Sequence, residues 1–158
     1  MAIPYRFVQI EKGFWMGRDK VSQRLWTAVM GSEPSAKVGR FGMAECPVYN
    51  VSRSDCLAFV GKLNEDNKTS GFRLPRDAEW EYAVNHADAW GLRGMWESVA
   101  EWCDDMYPRE LLNFFQREGY VLRGGVYYKH QKSDRQRRPP NKPHETFGLR
   151  LCFSIQPP

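Results

Sequence analysis

Helical periodicity in this chain ends at about residue 86, and the half beyond it cannot build an all-helical or doubly wound protein. Ser22 is placed to cap a helix with Leu25, Trp26, Val29 and Met30 on one face, stopped by Gly31. Ser52 with Asp55 approximates a capping box for a second helix, in which Cys56, Phe59, Val60 and Leu63 fall at helical spacing. That helix dissolves into the polar run 64–68. Pro75 is expected to open a third helix at its first turn, carrying Ala78, Trp80, Tyr82 and Ala83 and ending near His86. Ahead of these helices, residues 5–10 and 14–17 are short aromatic and β-branched runs broken at Lys12-Gly13, as in a hairpin. Residues 32–46 read as a loop and 47–51 as a short extended piece. Beyond residue 86 the apolar runs are short and interrupted by glycine. The last of them, 148–155, is apolar on alternate residues and is expected to pair with the N-terminal strands. Two or three helices ahead of an irregular strand-and-loop half predict an α+β fold, with residues 1–158 as one domain.

The charge is not evenly spread. Residues 129–142 hold six cations (Lys129, Lys132, Arg135, Arg137, Arg138, Lys142) against Asp134 alone, a net +5. The whole chain carries +4, so the remainder stands at −1. Six tryptophans point to a core built on large flat rings. No apolar run approaches the roughly 18 residues that span a bilayer, so no membrane insertion is expected. The first residues lack a secretory pattern. The expectation is that the protein stays where it is made, or leaves by a signal-free route such as assembly into a virion or display at a cell surface.

The chemistry-bearing residues are scattered. Cys46, Cys56, Cys103 and Cys152 show no C-x-x-C spacing, which argues against zinc or a redox pair, and Cys56 and Cys152 read as buried small hydrophobes. His86, His130 and His144 share no metal-binding spacing; His86 is expected to serve a helix C-terminus and the other two to flank the basic segment. Ser52, Ser54 and Ser133 have no neighbour that would activate a hydroxyl. Glu79, Glu81 and Glu101 are the carboxylates that acid–base chemistry would need.

Several runs, in order, carry a resemblance. They are Phe14-Trp15-Met16-Gly17; residues 21–31 with Pro34-Ser35; Pro47-Val48, Val51-Ser52 and Asp55-Cys56; residues 72–82 around Arg73-Leu74-Pro75; Gly91-Leu92; Glu101-Trp102-Cys103; Arg123-Gly124-Gly125; and Gly148-Leu149-Arg150. Together they resemble the formylglycine-generating-enzyme (sulfatase-modifying factor) family, which has a variant of the C-type lectin fold. The resemblance covers most of the chain and implies two to three helices around short irregular antiparallel sheets, with the N- and C-terminal strands paired. It also assigns Glu79 and Glu81 to a structural helix and gives Glu101 a role in buried hydrogen bonding to irregular backbone.

Three departures from the family pattern matter. Only seven residues, 84–90, stand where a long insertion is usual. The motif Gly-Asn-Val-Trp-Glu-Trp, a region family members often use to hold calcium, reads Glu97-Ser98-Val99-Ala100-Glu101-Trp102. Glu101 is left as the residual hard-oxygen calcium candidate. Finally, the 22 residues between Gly125 and Gly148 contain no cysteine. The family's enzymes carry their reactive cysteine pair there, and copper(I) chemistry needs those soft thiolates.

The resemblance therefore implies a non-catalytic ligand- or receptor-binding protein, like the variable proteins of diversity-generating retroelements in phages and prokaryotes. Aromatic and cationic residues mixed on a proline-stiffened segment suit recognition. The candidate ligand-binding residues are Tyr127, Tyr128, His130, Lys132, Ser133, Asp134, Arg135, Arg137, Asn141, His144 and Thr146, with Trp96 and Ser98 as neighbours. Adenine-directed change of Asn codons can yield Tyr, His, Ser, Asp, Arg, Asn and Thr. It cannot yield Lys129, Gln131, Lys132, Gln136, Lys142 or Glu145, so only part of the segment fits such variation. No cofactor is expected. The expected partner is a protein or other macromolecular ligand, with an anionic one among the candidates and nucleic acid disfavoured because the charge excess is local. The rival readings are a diverged oxidase or other enzyme of the family, and a structural subunit of an assembly.

Overall fold

The computed structural model describes residues 5–10, 14–38, 44–69, 71–114, 118–125 and 135–155. β1 (Phe7–Ile10) and β2 (Phe14–Gly17) pair antiparallel, as the hairpin reading expects. α1 (Gln23–Met30) starts where Ser22 accepts a hydrogen bond from the Leu25 N–H and stops at left-handed Gly31. A short 3-10 turn at Pro34–Val38 interrupts the expected loop. α2 (Arg53–Asn67) begins with the Ser52–Asp55 capping box and buries Cys56, Phe59, Val60 and Leu63. Its Phe59 ring stacks on Trp26 of α1, with centroids 5.0 Å apart and planes 4° from parallel.

β3 (Phe72–Arg73) leads into α3 (Asp77–Asn85). Pro75 lies two residues ahead of that helix rather than in its first turn. Its carbonyl instead accepts from the Asp104 N–H at 2.9 Å, which ties the helix entry to the next strand. The helix end at His86 is as expected, but it is succeeded by one further turn, α4 (Ala87–Trp90), stopped by left-handed Gly91. His86 donates through Nδ1 to the Tyr82 carbonyl at 2.8 Å, which satisfies one of the last acceptors of α3.

The irregular half contains β4 (Ala100–Met106), β5 (Tyr120–Arg123), β6 (Arg135–Arg138), β7 (Phe147–Gly148) and β8 (Cys152–Phe153), with a second 3-10 turn at Arg109–Leu111. The strands form two four-stranded sheets, ordered β1-β2-β8-β3 and β6-β5-β4-β7. The expected last strand 148–155 is split between them. Gly148 pairs with β4 in the second sheet, and Cys152 and Phe153 pair with β2 and β3 in the first. Leu149, Arg150 and Leu151 cross between the sheets fully buried, so this stretch stitches them together. The β4–β7 pair is parallel, a departure from purely antiparallel pairing.

Two apolar clusters fill the interior. The larger joins α1 and α2 to Trp102, Leu122, Phe147, Leu149 and Leu151. The second joins β1 and β2 to Trp80, Met95, Cys103, Val121 and Cys152. Trp80 and Trp102 are both fully buried, and each indole N–H finds an acceptor: Glu101 for Trp80 and the Val51 carbonyl for Trp102.

Candidate functional site

Both anchors of the candidate segment are an arginine beside glycine, and each arginine is completely buried. Burying a guanidinium requires a paired acid and filled hydrogen bonds. Arg123 donates to Asp77 Oδ1 at 2.5 Å and to Glu81 Oε2 at 3.2 Å, both on α3. Arg150 forks onto Glu101 through Nε and Nη2 at 3.0 to 3.2 Å. Its remaining donors meet the carbonyls of Gly17, Arg18 and Arg93 at 2.7 to 2.8 Å. Burial opposes the charge on Arg150, but Glu101 more than offsets it and the group is held above its ordinary range.

The glycines have steric causes. Gly124 sits at φ 73°, and a Cβ there would fall 2.6 Å from the Met95 carbonyl oxygen. A Cβ on Gly148 would fall 2.5 Å from the Val48 carbonyl. Each anchor is pressed against another backbone, where only glycine fits.

β5 and β6 are consecutive antiparallel strands, with Tyr120 opposite Arg138 and Arg123 opposite Arg135. Residues 124–134 therefore connect two neighbouring strands, and β6 is the edge of its sheet. Arg135 closes the pair and donates to Asp77 Oδ2 at 2.5 Å and Glu81 Oε2 at 3.3 Å. The two arginines thus share the same two carboxylates. An Asp and a Glu four residues apart on one helix face were the sequence signal for this network.

The candidate residues separate into groups. Tyr127, Tyr128, His130, Lys132, Ser133 and Asp134 lie outside the described residues. Arg135 is held against α3, whereas Arg137 lines a cleft of about 220 Å³ with Tyr107, Leu111 and Arg138. Asn141, His144 and Thr146 belong to a return stretch that runs from the start of α2 to β4. Ser54 Oγ donates to Asn141 Oδ1, Asn50 N–H donates to the His144 carbonyl at 3.1 Å, and Ala100 N–H donates to the Thr146 carbonyl at 2.7 Å. His144 Nδ1 is 2.8 Å from the Thr146 hydroxyl, and its ring lies 5.0 Å from that of Phe147. The Phe147 ring that His144 meets also lies 5.7 Å from the Arg138 guanidinium of β6.

Trp96 packs edge-on against Trp80 at 5.5 Å. The neighbouring Met95 carbonyl is pressed against Gly124, so the backbone beside Trp96 abuts the first anchor. Ser98 is exposed at φ 58°, a conformation in which Asn is more at ease than Ser.

The carboxylates are engaged in packing. Glu79 takes a two-pronged contact from Arg73 at 2.7 and 2.8 Å and also accepts from the Arg76 N–H. Glu101 corrects the expectation of bonding to irregular backbone, since its partners are the side chains of Arg150, Trp80 and Lys20. The Lys20 ammonium lies 3.6 Å from Glu101 Oε1 and 2.5 Å from both the Glu97 and Val99 carbonyl oxygens. The oxygens a calcium ion would need are therefore held by a lysine and an arginine, and the residues here do not fit that ion. No group of three or more His, Cys, Asp or Glu residues poised for a metal occurs among the described residues. Cys56, Cys103 and Cys152 are buried thiols, all pushed well up by burial, which is the reverse of what a nucleophile needs.

Residues 2–89 and 85–155 match the Sulfatase-modifying factor enzyme 1-like domain. The chain belongs to this family. No curated protein matches it. Among solved structures, Treponema denticola variable protein 1 superposes with a TM-score of 0.73 at 18% identity, covering 98% of this chain and 93% of that one. CarF gives 0.72 at 17% identity, with 90% and 87% covered. PvdO from Pseudomonas aeruginosa gives 0.66 at 16% identity, with 90% and 80% covered. At these identities the likeness is one of fold. It establishes the C-type lectin fold of the sulfatase-modifying-factor type for this chain, with Arg123 and Arg150 as the buried pins on either side of the candidate segment.

Proposed function

We propose that this member of the sulfatase-modifying-factor family is a non-catalytic binding protein that presents residues 126–134 from the β5–β6 hairpin, in the manner of a diversity-generating retroelement variable protein. The observation that carries this reading is the arrangement at the hairpin base. Arg123 and Arg135 share Asp77 and Glu81, so the connection leaves and rejoins the sheet at one rigid point. Substitution of side chains beyond that point is expected to leave the core undisturbed. The segment has rings and cations of the kind that give affinity by burial and charge, and it lacks the cysteines the family's enzymes use. Recognition would then rest on non-covalent contact with a macromolecular partner.

The test replaces residues 126–134 with a Gly/Ser segment of equal length and compares thermal unfolding and binding. The expected result is a midpoint within a few degrees of the parent, together with loss of binding to ligands selected on the parent from a displayed host proteome. Unfolding of the replacement protein would count against the proposal. So would stoichiometric, tight copper(I) binding by the parent in an anaerobic titration, which would instead favour a diverged oxidase.

A further inference from the structure

The Lys20 side chain is almost closed to solvent, at 2% exposure. Its ammonium stands at a point where three oxygens converge: the carbonyls of Glu97 and Val99 and the carboxylate of Glu101. The two carbonyls belong to the residues on either side of Ser98, whose left-handed backbone forms the turn between them. Converging carbonyl dipoles beside a carboxylate repel one another unless a cation sits among them, and such oxygens are the ligand set of a hard metal ion. Arg150 and the Trp80 indole also donate to Glu101, and Lys20 is the cation that joins its Oε1 to the two carbonyls. Burial pulls the Lys20 ammonium down to about 8, with Glu101 opposing that fall, so the group remains charged at neutral pH.

We propose that Lys20 is a tethered counter-cation: its ammonium closes the Glu97, Val99 and Glu101 oxygen cage in place of a bound metal, and so fixes the 94–99 turn without calcium. That turn carries Met95, whose carbonyl is pressed against Gly124, so Lys20 positions the first anchor of the display segment through that turn. Lysine at position 20 thereby makes the scaffold independent of metal supply.

The test uses the full chain and two variants. Lys20→Met keeps the stem and removes the charge; Lys20→Ala opens room for a small cation. Thermal midpoints are measured in EDTA, in millimolar calcium, and in methylammonium chloride, with tetramethylammonium chloride as a control too bulky to enter. The parent is expected to melt at the same temperature in EDTA and in calcium. Lys20→Met is expected to melt roughly 5–10 °C lower, because buried carbonyls lose their donor. Lys20→Ala is expected to recover part of its loss, saturably, with calcium or methylammonium and not with the bulky control. A parent that gains stability from calcium would overturn the proposal, as would Lys20→Met matching the parent. If Lys20→Ala does not fold, the parent and Lys20→Met arms decide the matter alone.

Discussion

Arg123 and Arg135 face one another across the β5–β6 pair, and both guanidinium groups close on the carboxylate of Asp77. One acid therefore holds both ends of the connection, but the two arginines are not equal. Arg123 is fully buried, whereas the Arg135 side chain is 34% exposed.

Asp77→Asn should accordingly cost about 3 kcal/mol, because it removes the nearer of the two acids that pair a fully buried guanidinium. Arg135→Ala should cost under about 1 kcal/mol, since a partly solvated pair contributes little. Urea unfolding of the two variants checks the ratio, and equal losses would refute the distinction.

The Glu101–Arg150 pair has no exposure on either side. Glu101→Gln should lose about 3–5 kcal/mol, the range for breaking a buried pair from one side. Arg150→Lys should fare badly as well, because an ammonium cannot reach the carbonyls of Gly17, Arg18 and Arg93 together with Glu101. Calorimetric midpoints of the two variants are the measurement.

Among the cysteines, Cys46 alone is partly exposed. A thiol reagent should titrate one group in the native protein and four after denaturation. The buried thiols also set an alkaline limit. Their folded values lie above the ordinary value near 9, so the unfolded chain releases those protons first. Their contribution is complete below about pH 9 and is lost as the pH rises further. Unfolding free energy should fall above that pH, and less steeply once Cys103 is replaced by Ala.

Ser98 carries a left-handed strain that Gly or Asn relieves. Ser98→Gly and Ser98→Asn should each raise stability by about 0.5–1 kcal/mol, and Ser98→Val should lower it. Denaturant midpoints at constant slope would show this ordering.

Local chemistry made much of this fold readable from sequence. Ser22, Gly31, Ser52 and Asp55 act as caps wherever they occur, since each meets backbone three or four residues away. The family motifs carried the rest of the architecture. The features that stayed hidden depend on distance along the chain. Lys20 meets a carbonyl 79 residues away, and Arg150 meets Glu101 at a separation of 49. No periodicity reports such pairs. The split of 148–155 between two sheets was hidden for a related reason, because a buried crossing and a buried strand have the same apolar pattern. At the candidate site, the anchors were visible as glycines beside arginines. The backbone partners of His144 and Thr146, at Asn50 and Ala100, emerged only from the fold.

The shared hold on Asp77 has a consequence for how such a protein can change over time. Because the strand register is pinned at Arg123 and Arg135, the pairing of β5 with β6 sets no length for the connection between them. The closure entropy of a flexible connection grows by only about 0.6 kcal/mol for each doubling of its length. Insertions there should thus be nearly as well tolerated as substitutions, giving descendants of this chain a way to alter the reach of the segment while inheriting the same interior.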